Sequence, residues 1–141
     1  MITINISTDF SDCPGPRYFI QGDFSGEQFY HTLLNEKFAN CIQQNTDLLL
    51  NLDDTNGYMS SFLDEAIGNL VYDFGGKEVS TRLKLVSNEE PSWISLIRDR
   101  VIPEWTENLK KGKEPIKTKD HKEWYRLIDN KLVRQKWVQS V

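Results

Sequence analysis

The densest group of chemically capable side chains runs from Asp53 to Glu65, in the order Asp-Asp-Thr-Asn-Gly-Tyr-Met-Ser-Ser-Phe-Leu-Asp-Glu. Two adjacent serines, Ser60 and Ser61, open an apolar-periodic stretch, and Asp53, Asp54, Asp64 and Glu65 flank them. Leu48-Leu49-Leu50 just before reads as a buried strand, so hydroxyls, acids and helix N–H groups converge at its carboxyl end. In open α/β sheets, ligands and phosphates are met at that end. A phosphoryl group on either serine would be held by the helix N–H groups and opposed by the four acids, which makes a charge switch. A plainer reading competes: Ser61 is an ordinary N-cap worth about 1 kcal/mol, with Asp64 answering the helix dipole. A carboxylate pair in an enzyme is the third reading.

A second group is Gly22-Asp23-Phe24-Ser25-Gly26-Glu27-Gln28-Phe29. Ser25 at an N-cap and Gln28 at N3 suffice as a capping box. Arg17, the only basic residue before Lys37, is expected to pair with one of the nearby acids. The rest of the chemical inventory is thin. The two histidines, His31 and His121, are read as solvent-facing, and the two cysteines, Cys13 and Cys41, form no disulfide framework. No C-x-x-C, H-x-x-x-H, G-x-S-x-G or glycine-rich phosphate loop occurs. The expectation is a non-enzyme with no catalytic residue, metal or cofactor.

Ile2, Ile4 and Ile6 alternate with polar residues as in a half-buried strand. Beyond the breaker Pro14-Gly15-Pro16, Arg17 to Gln21 reads as a second strand paired with the first. A helix follows from Ser25, with Tyr30, Leu34, Phe38 and Ile42 at i+4 spacing. Asp47 to Asp53 suits a central strand covered on both faces. Leu63, Ala66, Ile67, Leu70, Val71 and Phe74 make the apolar face of a second helix, closed by Gly75-Gly76. Thr81, Leu83 and Leu85 alternate in a fourth strand. A third helix starts near Pro91, carries Trp93, Ile97 and Val101, and is kinked or restarted at Pro103. Strands interleaved with helices predict an α/β fold, with a mixed, largely parallel four-stranded sheet. The boundaries expected are an α/β domain over 1–111, a linker or exposed loop over 112–119, and a C-terminal extension over 120–141. For that extension a helix capped by Asp120 and Glu123 is preferred, and a hairpin turning at Asp129-Asn130 is the alternative.

The chain has 141 residues, 38% hydrophobic and 27% charged, which admits a core and excludes a disordered or fibrous chain. No apolar run approaches the roughly 20 residues of a membrane span, and the N-terminus lacks signal-peptide character, so a cytoplasmic location is expected. The net charge of −4 conceals a split. Residues 1–97 hold 5 basic and 14 acidic residues, a net of −9; residues 98–141 hold 12 and 7, a net of +5. All four tryptophans, at 93, 105, 124 and 137, lie from residue 93 onward. Their side chains are expected to pack on the acidic body or a partner, with the lysines left in water.

Phe10, the run Gly15-Pro16-Arg17-Tyr18, then Phe24-Ser25-Gly26-Glu27 with Phe29, and Ser60-Ser61-Phe62-Leu63-Asp64-Glu65 with Gly68 resemble a bacterial STAS-like family of unknown function. The resemblance spans about residues 1–90. Related STAS domains, the anti-sigma-factor antagonists, carry Asp-Ser-Ser-Gly-Leu at the corresponding turn. One of those serines is phosphorylated by an ATP-binding partner kinase, which breaks the partner complex. Here Met59 replaces the Asp and Phe62 the Gly. The resemblance implies a cytoplasmic, partner-switching regulatory module that binds another protein. Ser61 or Ser60 would be the phosphoacceptor, and Asp53, Asp54, Tyr58, Met59, Phe62, Asp64 and Glu65 the docking surface. The partner would be a kinase-like regulator. An antitoxin or immunity protein masking a toxic enzyme is the alternative. Nucleic-acid contact through the basic end, with Lys110, Lys111, Lys113, Lys117, Lys119 and Lys122 near Trp124, is a third, disfavoured by the acidic body.

Overall fold

A computed structural model describes residues 1–136. Three short strands, β1 (Ile2–Asn5), β2 (Leu48–Asn51) and β3 (Leu83–Val86), form a parallel sheet in the order β1-β2-β3. Ile2 lies opposite Leu48, and Leu48 opposite Leu83. The Leu48–Leu50 run is indeed central, but only Leu48 and Leu50 are fully closed off, while Leu49 and Asn51 stay half-buried. One face of the strand is therefore more deeply covered than the other.

The second strand expected at Arg17–Gln21 is absent, which leaves three strands in the sheet instead of four. This segment ends in a 3-10 turn, Phe19–Gln21, and its main chain turns to a helix instead of to β1. The N–H of Gly26 donates to Pro16 O (2.9 Å) and that of Glu27 to Arg17 O (3.0 Å). The free N–H groups of a helix start compete with a strand edge for these carbonyls. That helix, α1, runs through Gly26–Phe29, a π-helical segment Tyr30–Leu34, and Asn35–Gln44. The predicted stripe holds: Tyr30, Leu34 and Phe38 are fully buried and Ile42 packs against the core. Asn45, at φ 52°, ends the helix in the left-handed conformation.

Helix α2 (Ser60–Phe74) is the spine of the core, with Phe62, Leu63, Ile67 and Leu70 buried. It stops at Gly75, φ 90°, and α3 (Gly76–Arg82) leads into β3. The alternation at Thr81–Leu85 therefore straddles a helix end and a shorter strand. Helix α4 is built from Ser92–Leu96, a π-helical segment Ile97–Val101, and Ile102–Lys110, and Pro103 sits where the π-helical turn gives way to α-helix.

Of the two readings of the chain end, the hairpin is observed. β4 (Trp124–Ile128) pairs antiparallel with β5 (Lys131–Gln135). Asp129 and Asn130, at φ 51° and 63°, make the turn, as a two-residue loop with both central φ positive requires. Trp124 is buried; Trp93 and Trp105 are half-buried against the core; Trp137 lies outside the described residues. Within 112–119 the chain faces solvent up to Glu114, but Pro115 is buried and Lys117 and Thr118 reach inward. No helix among the described residues is long and apolar enough to cross a membrane.

Candidate functional site

The turn between β2 and α2 is pinned from the β3 side. Asp53 accepts hydrogen bonds from the N–H groups of Glu89 (3.0 Å) and Asn88 (3.1 Å) and from Asn88 Nδ2 (3.1 Å). The Glu89 N–H leads in holding its carboxyl below the usual range. Asp54, at φ 69°, donates its N–H to the Glu89 carboxylate. Tyr58 donates to Leu52 O (2.8 Å) and sets its ring against Phe62 and Trp93; burial pushes its hydroxyl up to about 12.

The helix begins two residues earlier than the N-cap reading of Ser61 requires. Met59 occupies the N-cap, with no side-chain cap hydrogen bond. Ser60 is exposed, Ser61 is half-buried, and Met59 is 55% exposed. Phe62 points the other way, into a cluster with Phe10 and Phe29 at centroid distances of 6.2 and 5.8 Å. Glu65 is likewise inside. Asp54, Met59 and Ser60 thus face water, whereas Phe62 and Glu65 do not.

The remaining motif residues hold elements together. Ser25 Oγ accepts from the Gln28 N–H (3.0 Å), while Gln28 reaches back to the Phe24 N–H (3.1 Å). This is the expected cap, closed one residue further out. Phe24, at φ 55°, packs edge-on against Phe10 and remains partly exposed; Phe29 is fully buried. A Cβ on Gly26 would stand 2.6 Å from Phe62 O, and one on Gly68 2.4 Å from Trp105 Nε1. Both glycines mark places where helices approach too closely for a side chain. Arg17 bridges Asp64 (2.6 Å) and Glu65 (3.5 Å), and Trp105 Nε1 donates to the other Asp64 oxygen (3.1 Å).

A larger polar assembly lies between α2 and the chain end. Glu65, Asn69 and Asp73, at i, i+4 and i+8, form a polar stripe on a helix otherwise closed by apolar contacts, and all three are buried. Lys117 reaches into the stripe and donates to Asn69 Oδ1 (2.6 Å), its ammonium 5.1 Å above the Trp124 ring. Asp73 accepts from Tyr30 Oη (2.5 Å) and faces Arg126 Nε (3.7 Å). Burial pushes Glu65 up to about 7 against the pull of Asn69, Lys117 and Arg17, and Asp73 up to about 6 against Lys117 and Tyr30. Burial also lowers Lys117 itself. The lysines are therefore not all left in water.

Glu27, 0% exposed, sits next to this stripe. It accepts from the N–H groups of Phe19 (3.1 Å) and Thr118 (2.9 Å), from Thr118 Oγ1 (2.6 Å), and meets His121 Nε2 (2.5 Å). Burial alone would raise it, but the bonds from His121, Thr118 and Phe19 together hold it at about 2. His121 stacks on His31 at 3.9 Å, and neither ring is solvent-facing as expected. Both His31 nitrogens are buried without a hydrogen-bond partner among the described residues, and burial, then Lys117 and His121, holds the ring's pKa near 2. The polar stripe on α2 could have been noticed in the sequence. The partners Thr118 and His121, 91 and 94 residues from Glu27, carry no signal that points back to it.

A cleft of about 500 Å³ opens beside the stripe, lined by Tyr72, Asp73, Lys117, Trp124 and Arg126 among others. No group of three or more His, Cys, Asp or Glu among the described residues is placed to hold a metal ion. Because Trp124 is buried and Lys117 turned inward, this pair offers no exposed ring-and-cation platform of the kind that single-stranded nucleic acid requires.

No curated protein and no solved structure matches the chain significantly. Residues 25–93 match the model of one family, from the cap Ser25 to Trp93 in α4. That family is described as a STAS-like domain of unknown function (DUF4325), and residues 25–93 are similar to it.

Proposed function

We propose that the chain is a non-catalytic regulatory module that binds another protein at the carboxyl edge of its sheet, through Asp54, Tyr58, Met59 and the first turn of α2. One observation carries this reading: Met59, a large apolar side chain, stands exposed on the N-cap of a helix whose Phe62 is locked in the core. A protruding apolar group on a rigid base is a good anchor for an interface. Acids beside it favour a partner with a basic patch.

Ser60 supports a switch at the same place. It is exposed and opens α2, where free N–H groups favour a phosphate, while Asp54 and Asp64 oppose one. Phosphorylation would then change both charge and fit at the docking edge. Affinity capture from native cells, followed by titration of the captured partner, tests the reading. Met59→Asp should weaken binding at least tenfold, and Ser60→Asp should weaken it more than Ser60→Ala; the Ser61→Asp and Ser61→Ala pair is compared in the same way. Equal affinities for the Asp and Ala forms at both serines would reject the switch, and full binding by Met59→Asp would reject the surface.

A further inference from the structure

The part of the chain beyond the matched family residues does something a simple cover would not. Segment 114–136 lies over the side of α1 and α2, where Tyr125, Leu127 and Leu132 pack against the core and a set of polar contacts anchors the rest. Thr118 and His121 close on Glu27; Lys117 donates to Asn69; Arg126 faces Asp73. The main chain of Tyr125 exchanges two hydrogen bonds with the Asn35 side chain, at 2.8 and 2.9 Å. Its chief deeply buried apolar side chain is Trp124.

Buried ion pairs contribute little net stability compared with apolar residues of the same shape, because both charges must first lose water. A segment needed only to seal the fold would be expected to carry an apolar stripe onto an apolar helix face. Here the face of α2 beneath Lys117 carries Glu65, Asn69 and Asp73, which can be rehydrated, so that opening uncovers polar groups together with the apolar patch under Trp124, Tyr125, Leu127 and Leu132. The fit also leaves the two His31 nitrogens unsatisfied beneath His121 and Trp124, and detachment would return them to water. The hairpin at the segment's end has two strands only, and such hairpins are marginal by themselves. Residues 111–114, which lead into it, are all exposed. Each of these features favours local opening over loss of the whole fold.

We propose that residues 114–136 form a releasable strap, seated in a groove on α1 and α2 that accepts an extended lysine-bearing segment, so that a partner protein carrying such a segment competes with it. The occupant already seated defines the recognition: an ammonium set on Asn69 Oδ1, and a following hydroxyl residue whose N–H and Oγ both reach Glu27. A partner needs a Lys followed by Thr or Ser in an extended run. This surface is separate from the docking edge proposed above, and it stands or falls independently of that reading.

The test uses the full chain and a fluorescent peptide of residues 112–123. Lys117→Met in the chain loosens the strap while keeping its length and apolar stem. The variant should bind the peptide at least tenfold more tightly than the unaltered chain does, and a peptide carrying Lys117→Glu should bind neither. Hydrogen exchange on the same variant should quicken at least tenfold over 116–135, with the amides of α2 unchanged. Thr118→Ala, a milder loss of one anchor, should shift both readings in the same direction and serves if Lys117→Met does not fold. Absence of peptide binding to the loosened chain, equal binding of the Lys and Glu peptides, or equal acceleration of strap and α2 exchange would overturn the proposal.

Discussion

At its first turn, α2 presents Met59, Ser60 and the nearby Asp54 to water; from Glu65 onward the same helix turns its charges inward, beneath a segment some fifty residues further along the chain. The first region is held by Asp53, tied to the loop after β3, and by Tyr58, tied to Leu52, and its exposed charges cost nothing to keep hydrated. The second is held by contacts between distant residues, and it keeps Glu65, Asp73 and Lys117 where water is scarce. Charge that serves recognition by a partner can remain outside. Charge that joins two parts of one chain must be desolvated, and each group then depends on its neighbours.

The contrast can be broken most severely at Glu27. Glu27→Ala would leave the N–H groups of Phe19 and Thr118 and the His121 ring facing a void, and should cost about 3–5 kcal/mol by the usual cost of breaking a buried pair. Urea unfolding followed by tryptophan emission measures it. A loss below about 1 kcal/mol would show that water replaces the carboxylate and that the groove is not sealed.

Gly68→Ala probes the packing that supports both regions. The added Cβ meets the Trp105 ring and disturbs its bond to Asp64, so a loss of about 1–3 kcal/mol is expected, as for overpacked cores. Thermal unfolding reads the loss, and a shift of Trp105 emission shows where it arises.

The pH response is smaller and has a definite sign. Glu65, at about 7 in the folded chain, takes up a proton before its unfolded counterpart near 4.5, so stability rises as pH falls from 8 through 7. His31 acts oppositely: the unfolded ring takes a proton near 6.5, the folded ring only near 2, so stability is lost below 6.5. Glu27 adds a further loss as pH falls from 4.5 toward 2. Between pH 8 and 6.5 the gain from Glu65 is under about 1 kcal/mol. In urea titrations across this range, Glu65→Gln should abolish the rise; a rise that persists would assign it to another group.

The smallest effect belongs to the docking edge. Met59→Ala and Ser60→Ala should change stability by no more than about 0.5 kcal/mol, as exposed substitutions do. A larger loss in chemical unfolding would mean that the edge is structural, and would remove the distinction between the two regions.

Several elements were legible because their signals are local. Alternation at Ile2–Ile6 marks β1, the i+4 stripe from Tyr30 marks α1, and Gly75 stops α2 where a left-handed φ is needed. Ser25 with Gln28 marks a cap. The same local logic misread Arg17–Gln21 as a strand, since apolar content does not say whether a carbonyl will meet a strand or the N–H groups of a helix. It also placed His31 and His121 in solvent and Ser61 at a cap.

The sequence by itself determined the interleaved α/β order, the acidic body with its basic end, and the serine-bearing turn, because periodicity, turn residues and motif spacing act over a few residues. Only the tertiary structure decided that Lys117, Thr118 and His121 close on Glu27, Glu65, Asn69 and Asp73. Burial of a charge depends on which distant groups can replace its water, and no spacing within either segment records that pairing.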